Sequence, residues 1–202
     1  LLGGSNSIKK NGIVLGLNKE SIVNNYALGA SGSIQNLYEL HRKKKDIENS
    51  DLVISESNIN DFHNHNIIDL PLLEIDITVN DLYSALSSLS TKVVVLILPL
   101  QTKNFKSANS INRIHIKYLN KYGLNYINVH DFLKKNFGVE KFNFDNLDHL
   151  PSIFYFQIGK LISTLDFEKR ANSNYDWSKY EILNDFHGCR THYKENSLLN
   201  ER

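Results

Sequence analysis

The run Val93-Val94-Val95-Leu96-Ile97-Leu98 leaves this chain few folds to choose from. Six consecutive apolar residues are strand-sized, and side chains that alternate along a strand put apolar surface on both faces at once. Such a strand needs cover on both sides, as in the centre of a parallel sheet flanked by helices. Pro99 stops it. Leu1-Leu2-Gly3, Asn24–Leu28, Asp51–Ser55 and Tyr126–Val129 read as further strands. Between them lie helical patterns. One carries Ile34, Leu37 and Leu40 on one side and closes on the basic run His41–Lys45, where the helix dipole favours cations. A second is capped by Thr78, with Asp81 three positions on, and buries Leu82, Ala85, Leu86 and Leu89. A third runs from about 109 to 122 with Ile111, Ile114, Tyr118 and Leu119 inward and Gly123 as its C-terminal cap. The last follows Pro151, lined by Ile153, Phe154, Ile158, Leu161, Ile162 and Leu165. Residues 62–77, Pro71 included, read as irregular. Strand and helix alternate with short connections, so the expected fold class is α/β: a five-stranded parallel sheet in a three-layer α/β/α arrangement.

At 202 residues the chain suits one domain with a core of its own. Residues 1–165 carry the strand–helix alternation, and 166–202 turn polar without a clear period. That segment reads as a tail, a lid or the start of a further domain. Net charge is +1, from 23 basic and 22 acidic side chains, which gives no global attraction for nucleic acid. No apolar run approaches the roughly 18 residues of a membrane span. The single cysteine, Cys189, excludes an internal disulfide framework and fits a cytoplasmic location, with export left open. The chain lacks methionine and opens inside a strand pattern, which suggests a piece of a longer protein. No cofactor or metal is expected: neither His63-Asn64-His65 nor His187, Cys189 and His192 makes a closed four-ligand set with a familiar spacing.

Polar residues fall where strands end. Leu1-Leu2 runs into Gly3-Gly4-Ser5-Asn6-Ser7, a tight turn with a serine at its tip. Gly29-Ala30-Ser31-Gly32 follows the second strand, Asn58-Ile59-Asn60-Asp61 the third, and His149-Leu150 precedes the last helix. The carboxyl ends of parallel strands are where open α/β sheets place their ligands. In order and spacing these four blocks resemble those of the SGNH hydrolase family, the GDSL-type esterases and lipases. The resemblance covers roughly residues 1–165. It implies a flavodoxin-like sheet, Ser5 as nucleophile and His149 as its base. It also implies an oxyanion hole built from the N–H groups of Ser5 and Gly32 and the side-chain amide of Asn60.

Three positions depart from the family pattern. Gly4 stands where aspartate is usual, and Asn58 where glycine is usual. The family's acid sits three residues before the histidine, a position held here by Asn146. Asp145 is the choice for the third member, with Asp148 as the alternative acid; otherwise the site is a Ser–His dyad or inactive.

A serine hydroxyl attacks an ester only when an adjacent imidazole takes its proton, and the resulting oxyanion needs donors already in place. The expectation is therefore a serine esterase for small acyl groups, O-acetyl above all, on carbohydrate, its partner a small-molecule or oligosaccharide ester. The alternatives are a polysaccharide O-acetyltransferase using the same site and an inactive glycan-binding module.

Overall fold

The computed structural model describes residues 1–9, 11–17, 21–100, 105–137, 149–169 and 174–178. Three regular strands form its sheet: β1 (Leu52–Ser55), β2 (Lys92–Ile97) and β3 (Asn125–Asn128), in spatial order β1-β2-β3 and parallel throughout. Val53 pairs with Val93, and Val95 with Tyr126. Val93 to Leu98 are all buried, as a doubly apolar central strand requires.

Two further segments extend the sheet through individual backbone hydrogen bonds. Leu2 N–H donates to Ile54 O (2.9 Å), and Glu56 N–H donates to Leu2 O (3.1 Å), with a parallel bridge between Leu2 and Ser55. On the other side Tyr26 and Leu28 donate to Leu1 O and Gly3 O, both at 2.9 Å. The five expected segments thus lie side by side in the order 24–28, 1–3, β1, β2, β3. Gly3 breaks the first one too early for a regular ladder to form.

The helices are α1 (Ile13–Gly16), α2 (Ser33–Arg42), α3 (Lys44–Glu48), α4 (Asn58–Ile67), α5 (Leu72–Ser87), α6 (Phe105–Tyr122), α7 (Val129–Phe137) and α8 (Ser152–Thr164). Helix α5 packs on α2 and on α6, and α4 packs on α6, while α1 and α8 pack together; the right-handed rule for parallel crossovers assigns these two groups to opposite faces of the sheet.

Several local expectations are corrected. Residues 62–77 are not irregular. The segment α4 is helical although its sequence NINDFHNHNI looks polar, and α5 starts directly after Pro71. Thr78 is therefore no cap: it sits inside α5, and its hydroxyl donates back to Glu74 O at 2.7 Å. Proline before the first turn is compatible with helix because that N–H would have no partner anyway. The basic run does not simply close a helix, since Lys44 and Lys45 open α3. Ile34, Ile153, Leu161 and Leu165 face solvent, while Tyr155 and Gly159 take the inward face of α8. Gly123 does cap α6, with φ 62.

The described part of the C-terminal extension lies against the α/β domain. Tyr175 and Trp177 flank the His41 ring at 5.7 and 5.0 Å, and Lys44 Nζ stands 4.1 Å above the Trp177 ring.

The α1–α8 crossing bears most directly on where Ser5 and His149 sit, because α1 trails the Ser5 turn and α8 trails His149. It is backbone-close. A Cβ on Gly159 would overlap the Ile13 carbonyl oxygen and lie 2.9 Å from Gly16 Cα, and one on Gly16 would overlap the Phe156 carbonyl oxygen. Backbone on both sides leaves nothing flexible to yield. Gly159→Ala should therefore cost about 2–3 kcal/mol, lowering Tm by roughly 4–12 °C for a domain of this size. Lys160→Ala, at the exposed neighbouring position, should stay within about 0.5 kcal/mol. Thermal unfolding of the two variants beside the parent checks this.

Candidate active site

Leu2, Gly3 and Gly4 are buried, as are Asn6 and Ser7. Ser5 between them is half-buried, so this turn sinks its flanks and presents one hydroxyl. Ser7 N–H donates to Gly4 O at 3.1 Å, which closes the turn around Ser5. Beneath it lies Glu56, fully buried at the carboxyl end of β1. Its Oε1 accepts the Gly4 N–H at 2.7 Å and the Ser7 hydroxyl at 2.9 Å.

Ser5 Oγ and His149 Nε2 are 2.8 Å apart, although 144 positions separate them in the chain. With the imidazole proton on Nδ1, the hydroxyl donates to Nε2, the pairing that proton abstraction needs. The histidine's neighbour is tied down from both sides. Leu150 is buried; its N–H donates to Tyr155 Oη at 3.2 Å, and its carbonyl accepts from Lys9 Nζ at 3.2 Å. Lys9 lies just past the Ser5 turn, so the two catalytic candidates are linked by this contact as well as by the α1–α8 crossing.

Gly32 and Asn60 arrive on the same rim. Gly32 is the N-cap of α2, reached through a turn in which Ala30 holds a left-handed conformation, φ 59. Asn60 lies in the first turn of α4, buried, and its Nδ2 donates to Ser31 O at 3.0 Å. An amide nitrogen carries two protons, so one is left for another acceptor. Asp61, next in the chain, fixes the start of α2: its Oδ1 accepts Ser33 N–H at 2.8 Å and its Oδ2 accepts the Ser33 hydroxyl. The same Oδ2 lies 3.0 Å from His115 Nε2, and His115 Nδ1 lies 2.6 Å from Tyr83 Oη. Burial, and then the Asp61 charge, pushes the Tyr83 hydroxyl well above the usual tyrosine range. This buried chain ties α2, α4, α5 and α6 together behind the rim.

The residues at positions 4 and 58 have physical accounts. A Cβ on Gly4 would overlap Asn60 Nδ2, so aspartate there would evict the amide. Asn58 pairs like a strand residue with the end of β2. Its Oδ1 accepts Leu98 N–H at 3.0 Å, and its Nδ2 donates to Leu98 O at 2.9 Å and Asn112 Oδ1 at 3.0 Å. Ser5, Gly32, Asn60 and His149 are thus accounted for in position. Asp145 and Asp148 lie outside the described residues, as do His187, Cys189 and His192. Among the described residues no cluster of three His, Cys, Asp or Glu is arranged for a metal, and no helix is long and apolar enough to cross a membrane. A cavity of about 950 Å³ lined by Leu1, Tyr26, Asp46 and Leu52 touches none of the four site residues. Glu56, His115 and Tyr83 were not singled out by sequence reasoning. The signal for Glu56 was a carboxylate placed straight after an apolar run.

The fold has clear counterparts among solved structures. The acetyl xylan esterase AlAXEase superposes with a TM-score of 0.61 at 16% identity, over 81% of this chain and 97% of that one. A member of the lipolytic protein G-D-S-L family from Veillonella parvula DSM 2008 gives 0.61 at 10% identity, over 79% and 92%. The lipase/acylhydrolase from Enterococcus faecalis gives 0.57 at 18% identity, over 74% and 77%. No protein-family model matches the chain, and no curated protein sequence does. The chain shares the fold of these esterases and lipases.

Two outcomes are expected of this geometry. Gly4→Asp should displace the Asn60 amide and destabilise the turn by about 1–3 kcal/mol, which thermal unfolding beside the parent would register. The second concerns pH. Burial pushes the Glu56 carboxyl from 4.5 up to about 7, opposed by its bonds from Gly4 and Ser7 and reinforced by the Asp61 charge. Between those values the folded protein holds a proton that the unfolded chain has lost, so this contribution is full below about 4.5 and disappears as pH rises through 7. Denaturant titrations should show Glu56→Gln losing about 3 kcal/mol less than the parent between pH 4.5 and 7.5.

Proposed function

We propose that this chain is a serine esterase that removes small acyl groups, acetyl above all, from carbohydrate hydroxyls. The observation that carries the reading is the 2.8 Å contact between Ser5 Oγ and His149 Nε2 on the ligand-bearing rim of an SGNH-type sheet. Ser5 Oγ attacks the ester carbonyl carbon as its proton passes to His149 Nε2. The oxyanion formed is met by the N–H groups of Ser5 and Gly32 and by the second proton of the Asn60 amide, all held rigidly before substrate arrives. His149 then protonates the departing sugar oxygen, leaving the acyl group on Ser5. Water, deprotonated by the same imidazole, attacks this acyl-enzyme and returns Ser5. Asp145, or Asp148 in its place, serves as the carboxylate behind His149 Nδ1, holding the tautomer and stabilising the imidazolium.

The acetyl and carbohydrate preference rests on the acetyl xylan esterase among the similar structures. The tests are hydrolysis of p-nitrophenyl acetate and acetate release from acetylated xylo-oligosaccharides. Ser5→Ala and His149→Ala should each lower kcat by about 10³-fold or more, and Asn60→Ala by about 10²–10³-fold with KM little changed. A Ser5→Ala variant as active as the parent would overturn the reading.

A further inference from the structure

Two glycines precede Ser5, and each is the imprint of a polar side chain from the segment after β1. Gly4 leaves room for the Asn60 amide. At Gly3 an added Cβ would lie 2.7 Å from Glu56 Oε1 and 3.0 Å from Glu56 Cγ, and would overlap Ser7 Oγ. Glu56 thus fills the space that a side chain at position 3 would need, and its one oxygen binds the turn on both sides of Ser5, at Gly4 and at Ser7. Its own backbone is pinned as well. The N–H donates to Leu2 O (3.1 Å), and the carbonyl accepts from Asn36 Nδ2 at 2.9 Å.

We propose that Glu56 is the positioning residue of the nucleophile, its buried carboxylate gripping the turn at Gly4 and Ser7 so that the Ser5 hydroxyl and N–H are aimed before substrate binds. This deepens the esterase reading and rests on it only in taking Ser5 as the nucleophile.

The chemistry supports a role beyond packing. A carboxylate buried this fully is costly to keep, and its Oε2 meets no donor among the described residues. An amide or a methyl would fill such a site at lower cost, whereas an acid gives the strongest acceptor available for two donors at once. The groups facing it are Gly4 and Ser7 from the first turn, Asn36 from α2 and the Asp61 charge from α4. Asp61 is of the same sign and is itself engaged with Ser33 and His115, so no cation among these neutralises Glu56. The Gly4 bond should accordingly tighten as the carboxyl ionises near neutral pH.

The experiment uses the whole chain, ¹⁵N-labelled, in four forms: parent, Glu56→Gln, Glu56→Ala and Ser7→Ala. In the parent the Gly4 amide proton should move downfield with pH, with a midpoint near 7. In Glu56→Gln the amide should stay protected without that titration. In Glu56→Ala its hydrogen exchange should quicken by about 10-fold or more. With p-nitrophenyl acetate, Glu56→Ala should lose about 30-fold in kcat with KM within about 3-fold, while Glu56→Gln, which still offers an acceptor, should stay within about 5-fold of the parent. A folded Glu56→Ala variant with parental kcat, or a Gly4 amide indifferent to Glu56, overturns the proposal. If Glu56→Ala fails to fold, Ser7→Ala decides: a kcat reduced by about 3–10-fold supports the grip, and an unchanged one removes it. A parent without esterase activity would sink the esterase reading alone, and the Gly4 amide would still decide whether Glu56 holds the turn.

Discussion

The site depends on two backbone hydrogen bonds made by Leu2, one to Ile54 and one from Glu56. They lay the first segment alongside β1 in a single register. From that register both chains leave the sheet at the same rim, one into the Ser5 turn and the other into the 56–61 cluster. A slip of one residue would turn Leu2 out of the core and point Glu56 away from Gly4. Pairing in the sheet, core burial and the assembly of the site are thus one constraint.

Around that register the protein uses close backbone approach more than bulk. Gly3, Gly4 and Gly32 each leave space that a neighbouring polar side chain occupies: Glu56, Asn60, and Asp61 with Asn64. On the opposite layer Gly16 and Gly159 bring α1 onto α8. One set of contacts shapes the turn that bears Ser5, and the other fixes the helix beyond His149. Hydroxyl and imidazole meet because both supports are rigid at backbone level, where positions vary little.

Residues were legible in the sequence where burial is apolar. The run at 93–98, the stripe Leu82–Leu89 and the inward residues of α6 declare themselves, because hydrophobic period reports burial directly. The polar blocks at Ser5, Gly32, Asn60 and His149 were visible as breaks at the ends of such runs. Hidden from that reading was everything polar that points inward. The helix α4 buries Asn58, Asn60 and Asp61, which inverts the usual pattern and made it look like a loop. The start of α5 was obscured by Pro71 and by Leu72, Leu73 and Ile77, apolar residues that face solvent and so blur the helical period. His115 sits on the buried stripe of α6 among apolar neighbours, and its partnership with Asp61 and Tyr83 joins three helices, information that no local window contains. Glu56 was concealed by its own chemistry, since an acidic residue after a strand ordinarily faces water.

The central claim is that Ser5 is activated by His149 at this rim. Its most direct test is covalent labelling of the intact chain with a fluorophosphonate, followed by peptide mapping in a mass spectrometer. One adduct is expected, on Ser5, formed rapidly in the parent and scarcely at all in His149→Ala. Labelling at a different residue, or equal labelling of Ser5 with and without the imidazole, would contradict it.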